Sequence, residues 1–150
     1  MKTIILVFLL SVFVASTAAA QGGLVSLKSS HDVATTANRL ESALKEKGIT
    51  VFARIDHAAG AQRVGQTLKP TVLIIFGSPA MGTPLIQRSR SIGIDLPLKA
   101  LIWEDKAGLV WFTYNAPDFL VHRHGITEMG EAIQKMELAL SNFAMAATLP

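Results

Sequence analysis

The chain has 150 residues, enough for one compact domain and too few for two. Its 14 Lys and Arg against 11 Asp and Glu leave a formal charge of +3, with the basic residues scattered and Arg88-Ser89-Arg90 the densest run. Nucleic-acid binding needs a clustered basic face, so the isoelectric point near 9.5 marks no such surface. Cysteine is absent, which excludes disulfides, thiol chemistry and a lipid-modified cysteine.

The first elements address the chain. Lys2 gives a basic start, 4–14 is an apolar run broken by Ser11, and Ala18 and Ala20 occupy the small-residue positions before Gln21. These are the three regions of a secretory signal peptide, expected over residues 1–20. The competing reading is a membrane anchor, but crossing a bilayer takes about 20 apolar residues and this core is shorter. No later apolar run has that length, so no membrane span is expected after cleavage. The expected location is the periplasm, with secretion as the alternative, and the single mature domain is expected over 21–146 with a frayed tail at 147–150.

Within the domain, 24–28 alternates weakly and reads as a strand. Ser29 and Asp32 have capping-box spacing, and Val33, Ala37, Leu40 and Leu44 then fall on one helical face. Thr50 to Asp56 alternates, with Val51, Ala53 and Ile55 on one side and Phe52 and Arg54 on the other, so a second strand is expected. The polar stretch 57–69 reads as a loop. Val72 to Phe76 is a β-branched-rich run typical of a covered strand, and 79–92 is expected to contain a helix. Residues 100–104 and 109–115 read as a hairpin across a Gly-ended turn, and 117–124 as a helical turn. Thr127 is placed to cap a last helix carrying Met129, Ile133, Met136, Leu140 and Phe143 on one stripe. The order β-α-β-loop-β-α-β-β-α predicts an α+β fold, a sheet backed by two longer helices.

Four polar or turn-rich segments interrupt this apolar plan: Ile55-Asp56-His57, Phe76-Gly77-Ser78-Pro79-Ala80-Met81-Gly82-Thr83, Asp95-Leu96-Pro97-Leu98-Lys99 and Trp103-Glu104-Asp105. In order and wording they resemble the bacterial family named domain of unknown function 302, over about Gly23 to His124. The resemblance implies a β-α-β(4)-α arrangement akin to the half-repeat of the TATA-binding-protein fold. That likeness is one of shape, without DNA binding, and it leaves the activity undefined.

The same segments supply the candidate site. Gly77, Ser78, Gly82 and Thr83 surround a strand-to-helix turn whose amides and hydroxyls suit a carboxylate or phosphate, or serve as an ordinary turn. The turn lacks the Walker, dinucleotide and serine-hydrolase-elbow spacings. Asp56 and His57 pair a carboxylate with an imidazole, although adjacent strand residues face opposite ways. Lys99 and Arg123 are candidate cationic partners, and Trp103 and Glu104 end a hairpin strand where burial or charge pairing would tune the carboxylate. Trp103 shares a face with Trp111 or Tyr114, depending on register. A metal site is not expected; the weak alternative uses His57, His122 and His124, which have poor ligand spacing. Ser, His and Asp all occur, but no spacing assembles them into a catalytic set, so catalytic residues stay unassigned and no cofactor is expected. The leading expectation is a ligand-binding or accessory module for a small anionic or amphipathic molecule. The alternatives are a homodimeric interaction protein, or a small hydrolase or isomerase with His57 or Glu104 as base.

Overall fold

A computed structural model describes residues 22–127 and 130–150. The expected signal peptide and Met129 lie outside the described residues, as does residue 128, where the helix expected after Thr127 would begin. The strands are β1 (Leu24–Lys28), β2 (Thr50–Asp56), β3 (Thr71–Gly77), β4 (Leu98–Glu104) and β5 (Val110–Asn115). The helices are α1 (Val33–Glu46), α2 (His57–Arg63), α3 (Pro79–Arg88), α4 (Pro117–Arg123) and α5 (Gly130–Thr148), with a 3-10 turn at Arg90–Ile94. The strands form one antiparallel sheet in the order β1-β5-β4-β3-β2, so β1 and β2 are opposite edges and α1 crosses between them. This is the α+β, β-α-β(4)-α plan, with α2, α3 and α4 added in the connections.

The helix that crosses the sheet forms because its apolar residues recur at helical spacing. Val33, Ala37, Leu40 and Leu44 are all buried, and α1 packs along α5. Asp32 caps α1, its Oδ1 accepting from the Thr35 amide at 2.6 Å. Ser29 does not complete the expected box. It is buried, and its hydroxyl meets that of Thr36 at 2.7 Å, tying the end of β1 to the inner face of the helix.

The inner sheet face is supplied by Val72, Ile74 and Phe76 of β3, Ala100 and Ile102 of β4, and Phe112 and Tyr114 of β5. Phe76 meets Phe143 of α5 edge-on, with centroids 6.5 Å apart. The alternate positions, including Leu73, Ile75, Leu101, Trp103 and Trp111, face the other way.

Three expectations require correction. The uniform alternation of β2 is broken by a register shift between Val51 and Ala53. Val51 lies opposite Phe76, but past the bulge Arg54 lies opposite Ile74 and Asp56 opposite Val72. Arg54, not Ala53 or Ile55, therefore turns toward α1, where its guanidinium meets Asn38 and Glu41 at 2.7 and 3.2 Å. The stretch from His57 is not all loop: Asp56 Oδ1 accepts from the Ala59 amide at 2.8 Å and starts α2. The C-terminal tail is not frayed either. α5 continues through buried Ala147 and Thr148, and the Thr148 carbonyl accepts from the Ser30 amide at 2.9 Å. Leu149 is also tied, its carbonyl accepting from Arg39 Nη2 at 2.9 Å.

Candidate functional site

β3, with Val72, Ile74 and Phe76 buried, ends at Gly77 beneath a turn that opens directly into α3. Pro79 starts that helix with its ring already at a helical φ and no amide to satisfy. The turn borders a pocket of about 490 Å³ between α3, α5, the β2 bulge and the segment before β4. Its walls are apolar: Phe52, Ile86, Leu96 and Leu98, with Met136 and Phe143 from α5. Exposed Lys47 and Asn142, with Ser78 and Thr83, supply the polar lining.

Gly77, Ser78, Gly82 and Thr83 therefore share one cavity. A Cβ on Gly77 would lie 3.5 Å from Pro97 Cβ, and one on Gly82 would lie 3.7 Å from Leu96 Cδ1. These are ordinary contact distances. The glycines thus keep the cavity wide and are not forced by backbone strain. The amides of Met81 and Gly82 both donate to the Ser78 carbonyl at 3.0 Å, so these two are engaged within the helix start. Ser78 makes no side-chain capping bond to α3.

The expected cations are elsewhere. Lys99 lies opposite Ile75, on the sheet face away from the helices. Its Nζ donates to the carbonyls of Asp95 and Pro97 at 3.0 and 2.9 Å, bracing from behind the segment that walls the pocket. Burial lowers the Lys99 pKa from its ordinary value, an effect that nearby Asp95 opposes. Asp95 makes no side-chain bond to Lys99. Its Oδ1 meets Arg123 Nη1 at 3.3 Å and its Oδ2 meets His124 Nε2 at 2.6 Å.

Asp56, His57, Trp103 and Glu104 gather at the other end of the sheet. Asp56 lies opposite Val72, and Trp103 opposite Thr71, whereas Gly77 lies opposite Thr50. The span from Thr71 to Gly77 is about 20 Å at the usual rise per strand residue. Asp56 is occupied as the cap of α2, and His57 is exposed. Glu104 Oε1 pairs with Lys69 Nζ at 2.6 Å. Neither His57 nor Glu104 reaches the pocket, so the structure does not combine them with the Gly77–Thr83 turn as a base. The register resolves the aromatic pairing: Trp103 faces Trp111, and its indole donates to Thr113 Oγ1 at 3.0 Å.

Asp105 organises the hairpin. Its Oδ2 accepts from the Trp111 indole, and its Oδ1 from the amides of Ala107 and Leu109. The Trp111 bond first, then that from Leu109, holds the carboxyl below its ordinary pKa. The three-His metal alternative is not assembled. His122 Nδ1 meets the Asp118 carboxylate at 3.2 Å, while His124 turns to Asp95 and Ser91. Among the described residues no group of three acidic, His or Cys side chains is placed to hold a metal.

Sequence reading missed Phe52, Met136, Asn142 and Phe143 as pocket residues. An exposed Phe in an alternating strand was the available signal, since Phe52 is 53% exposed. The α5 residues gave none, because a helix stripe facing a pocket looks like one facing a core.

The comparisons agree with this architecture. The profile of the family described as Domain of unknown function DUF302 matches residues 25–143. A crystal structure of an uncharacterized conserved protein DUF302 from Bacillus stearothermophilus has the same fold, with TM-score 0.75 at 20% identity. The likeness covers 83% of this chain and 98% of that one. Two curated relatives are a protein named fluoride-specific ion channel FluC 1 from Brucella suis and one named FluC 2 from Brucella melitensis. Each is 51% identical over 104 residues, which is 69% of this chain but 41% and 38% of those proteins. The chain thus spans about two fifths of the length of the curated relatives it matches. With its profile match running from β1 into α5, the chain belongs to the family Domain of unknown function DUF302.

Proposed function

We propose that this chain is an exported, periplasmic module that binds a small amphipathic ligand in the pocket behind the Gly77–Thr83 turn. The carrying observation is the apolar cavity of about 490 Å³ walled by Phe52, Ile86, Leu96, Met136 and Phe143. Its size falls in the range of small-molecule sites, and apolar walls with a few polar groups are their usual composition. An anionic head group is suited by Lys47, which takes the role that sequence reasoning gave to Lys99 and Arg123. Each methylene buried in such walls contributes about 0.8 kcal/mol, so a short acyl chain gains several kcal/mol before the cost of ordering it. Calorimetric titration with decanoate is the test. Saturable one-to-one binding that Phe52→Asp abolishes supports the reading, because Phe52 is exposed enough for the fold to tolerate that change. Absence of binding by the folded protein refutes it.

The Brucella similarity favours a second reading, an accessory domain that works beside a membrane ion channel. No described helix of this chain is long and apolar enough to cross a membrane, so conduction would belong to the remainder of those relatives. Fluoride titration followed by Trp103 and Trp111 fluorescence separates the readings, since only the second calls for a response to that ion. A homodimer is a further proposal, supported by the apolar sheet face that includes Ile55, which is 39% exposed. Sedimentation of the purified chain tests it.

A further inference from the structure

Away from the pocket, the 3-10 turn and the end of α4 bring together residues that are remote in sequence. Ser91 Oγ lies 2.8 Å from His124 Nδ1, and His124 Nε2 lies 2.6 Å from Asp95 Oδ2. Asp95 Oδ1 is separately held by Arg123 Nη1 at 3.3 Å, so each carboxylate oxygen has its own partner. The side chains of His124 and Asp95 are 7% and 13% exposed, while Ser91 is exposed. Ser89 Oγ is a further neighbour, 3.1 Å from Ser91 Oγ.

We propose that Ser91, His124 and Asp95 form a nucleophile, base and orienting group for attack on a small activated carboxylic ester. An ionised carboxylate only accepts hydrogen bonds, so Asp95 selects the neutral imidazole tautomer with its proton on Nε2. Nδ1 is then the acceptor that faces the Ser91 hydroxyl. Ser89 can donate to Ser91 Oγ while Ser91 donates to Nδ1, so the hydrogen-bond directions are mutually consistent. This is the logic of an activated serine, recognised by geometry and not by sequence order. The exposed position of Ser91 suits an ester that presents its carbonyl at the surface.

In the acylation step the Ser91 Oγ–carbon bond forms as its proton passes to His124 Nδ1. Collapse of the tetrahedral adduct breaks the bond to the alcohol, which leaves with the proton from Nδ1. Water then attacks the acyl-serine, giving its proton to Nδ1. Release of the carboxylic acid returns that proton to Ser91. Asp95 and Arg123 are positioning residues, and Ser91 and His124 are the groups that touch the reacting atoms.

The test is labelling of the full purified chain with a fluorophosphonate probe, located by peptide mass. Ser91 is expected to react at least ten times faster than exposed Ser42 in the same molecule, a comparison that needs no variant. Ser91→Ala should remove the adduct. His124→Gln and Asp95→Asn, each checked as folded by circular dichroism, should slow it by tenfold or more, since a positioned base typically contributes about 10²–10⁴ in rate. Equal rates at Ser91 and Ser42, or wild-type labelling in either folded variant, overturn the proposal. Decanoate affinity should be unchanged in Ser91→Ala, because this centre does not depend on the pocket.

Discussion

Gly82 separates the stability of α3 from the use of the pocket, and two substitutions there should move the two properties differently. A Cβ at this position would rest 3.7 Å from Leu96 Cδ1, in ordinary contact. Gly82→Ala therefore adds a helix-favouring residue without displacing a neighbour. Relief of glycine's excess unfolded-state entropy stabilises by about 0.5–1 kcal/mol, which is a rise of roughly 1–6 °C in Tm for a domain of this size. Gly82→Leu adds three more carbons on the side of Leu96, another pocket wall. If they displace two or three ligand methylenes at about 0.8 kcal/mol each, the loss is roughly 2 kcal/mol, or about 30-fold in Kd. Thermal melts by circular dichroism and calorimetric titration with decanoate measure the two effects. A folded Gly82→Leu variant binding decanoate within twofold of wild type refutes the pocket geometry. A markedly destabilised Gly82→Ala variant refutes the claim that the added methyl fits.

Leu40→Ala, which removes a fully buried side chain between α1 and the sheet, should cost about 2–5 kcal/mol in urea denaturation. Asp32→Ala should cost about 1 kcal/mol in the same assay through loss of the bond to the Thr35 amide. Deleting 147–150 should lower Tm, since it removes buried Ala147 and the Ser30–Thr148 backbone bond; an unchanged melt would return this segment to a frayed tail. Asp105 has a folded-state pKa below its unfolded value, so its contribution is present above the ordinary carboxylate range and is lost as pH falls through the lower folded value. Asp105→Asn should accordingly flatten the acid limb of stability against pH, followed by Trp111 fluorescence.

The regular elements were legible because their periods are local. Val33, Ala37, Leu40 and Leu44 announce the inner face of α1, and Val72 to Phe76 announces a covered strand. The bulge at Phe52 was not legible, because alternation continues in the letters while the pairing slips by one residue. α2 was hidden in a polar stretch whose start is marked only by the Asp56 cap. In the site, Gly77, Ser78, Gly82 and Thr83 were found together because one turn carries them. Lys99 was misplaced because a strand residue's face depends on a register that the sequence leaves open. Ser91, Asp95 and His124 meet only through tertiary packing, and their spacing carries no periodic signal.

The position of β1 at the sheet edge has a kinetic consequence. Among the described residues its one strand partner is β5, and the Ser26–Thr113 hydroxyl pair joins residues 87 positions apart. β2 through β5 can pair successively by local meander, but β1 has no neighbour until the chain has been made through Asn115. Closing so long a loop is entropically costly before any contact offsets it. The first strand should therefore dock late, staying unpaired during synthesis and making its attachment the step most sensitive to changes in β5.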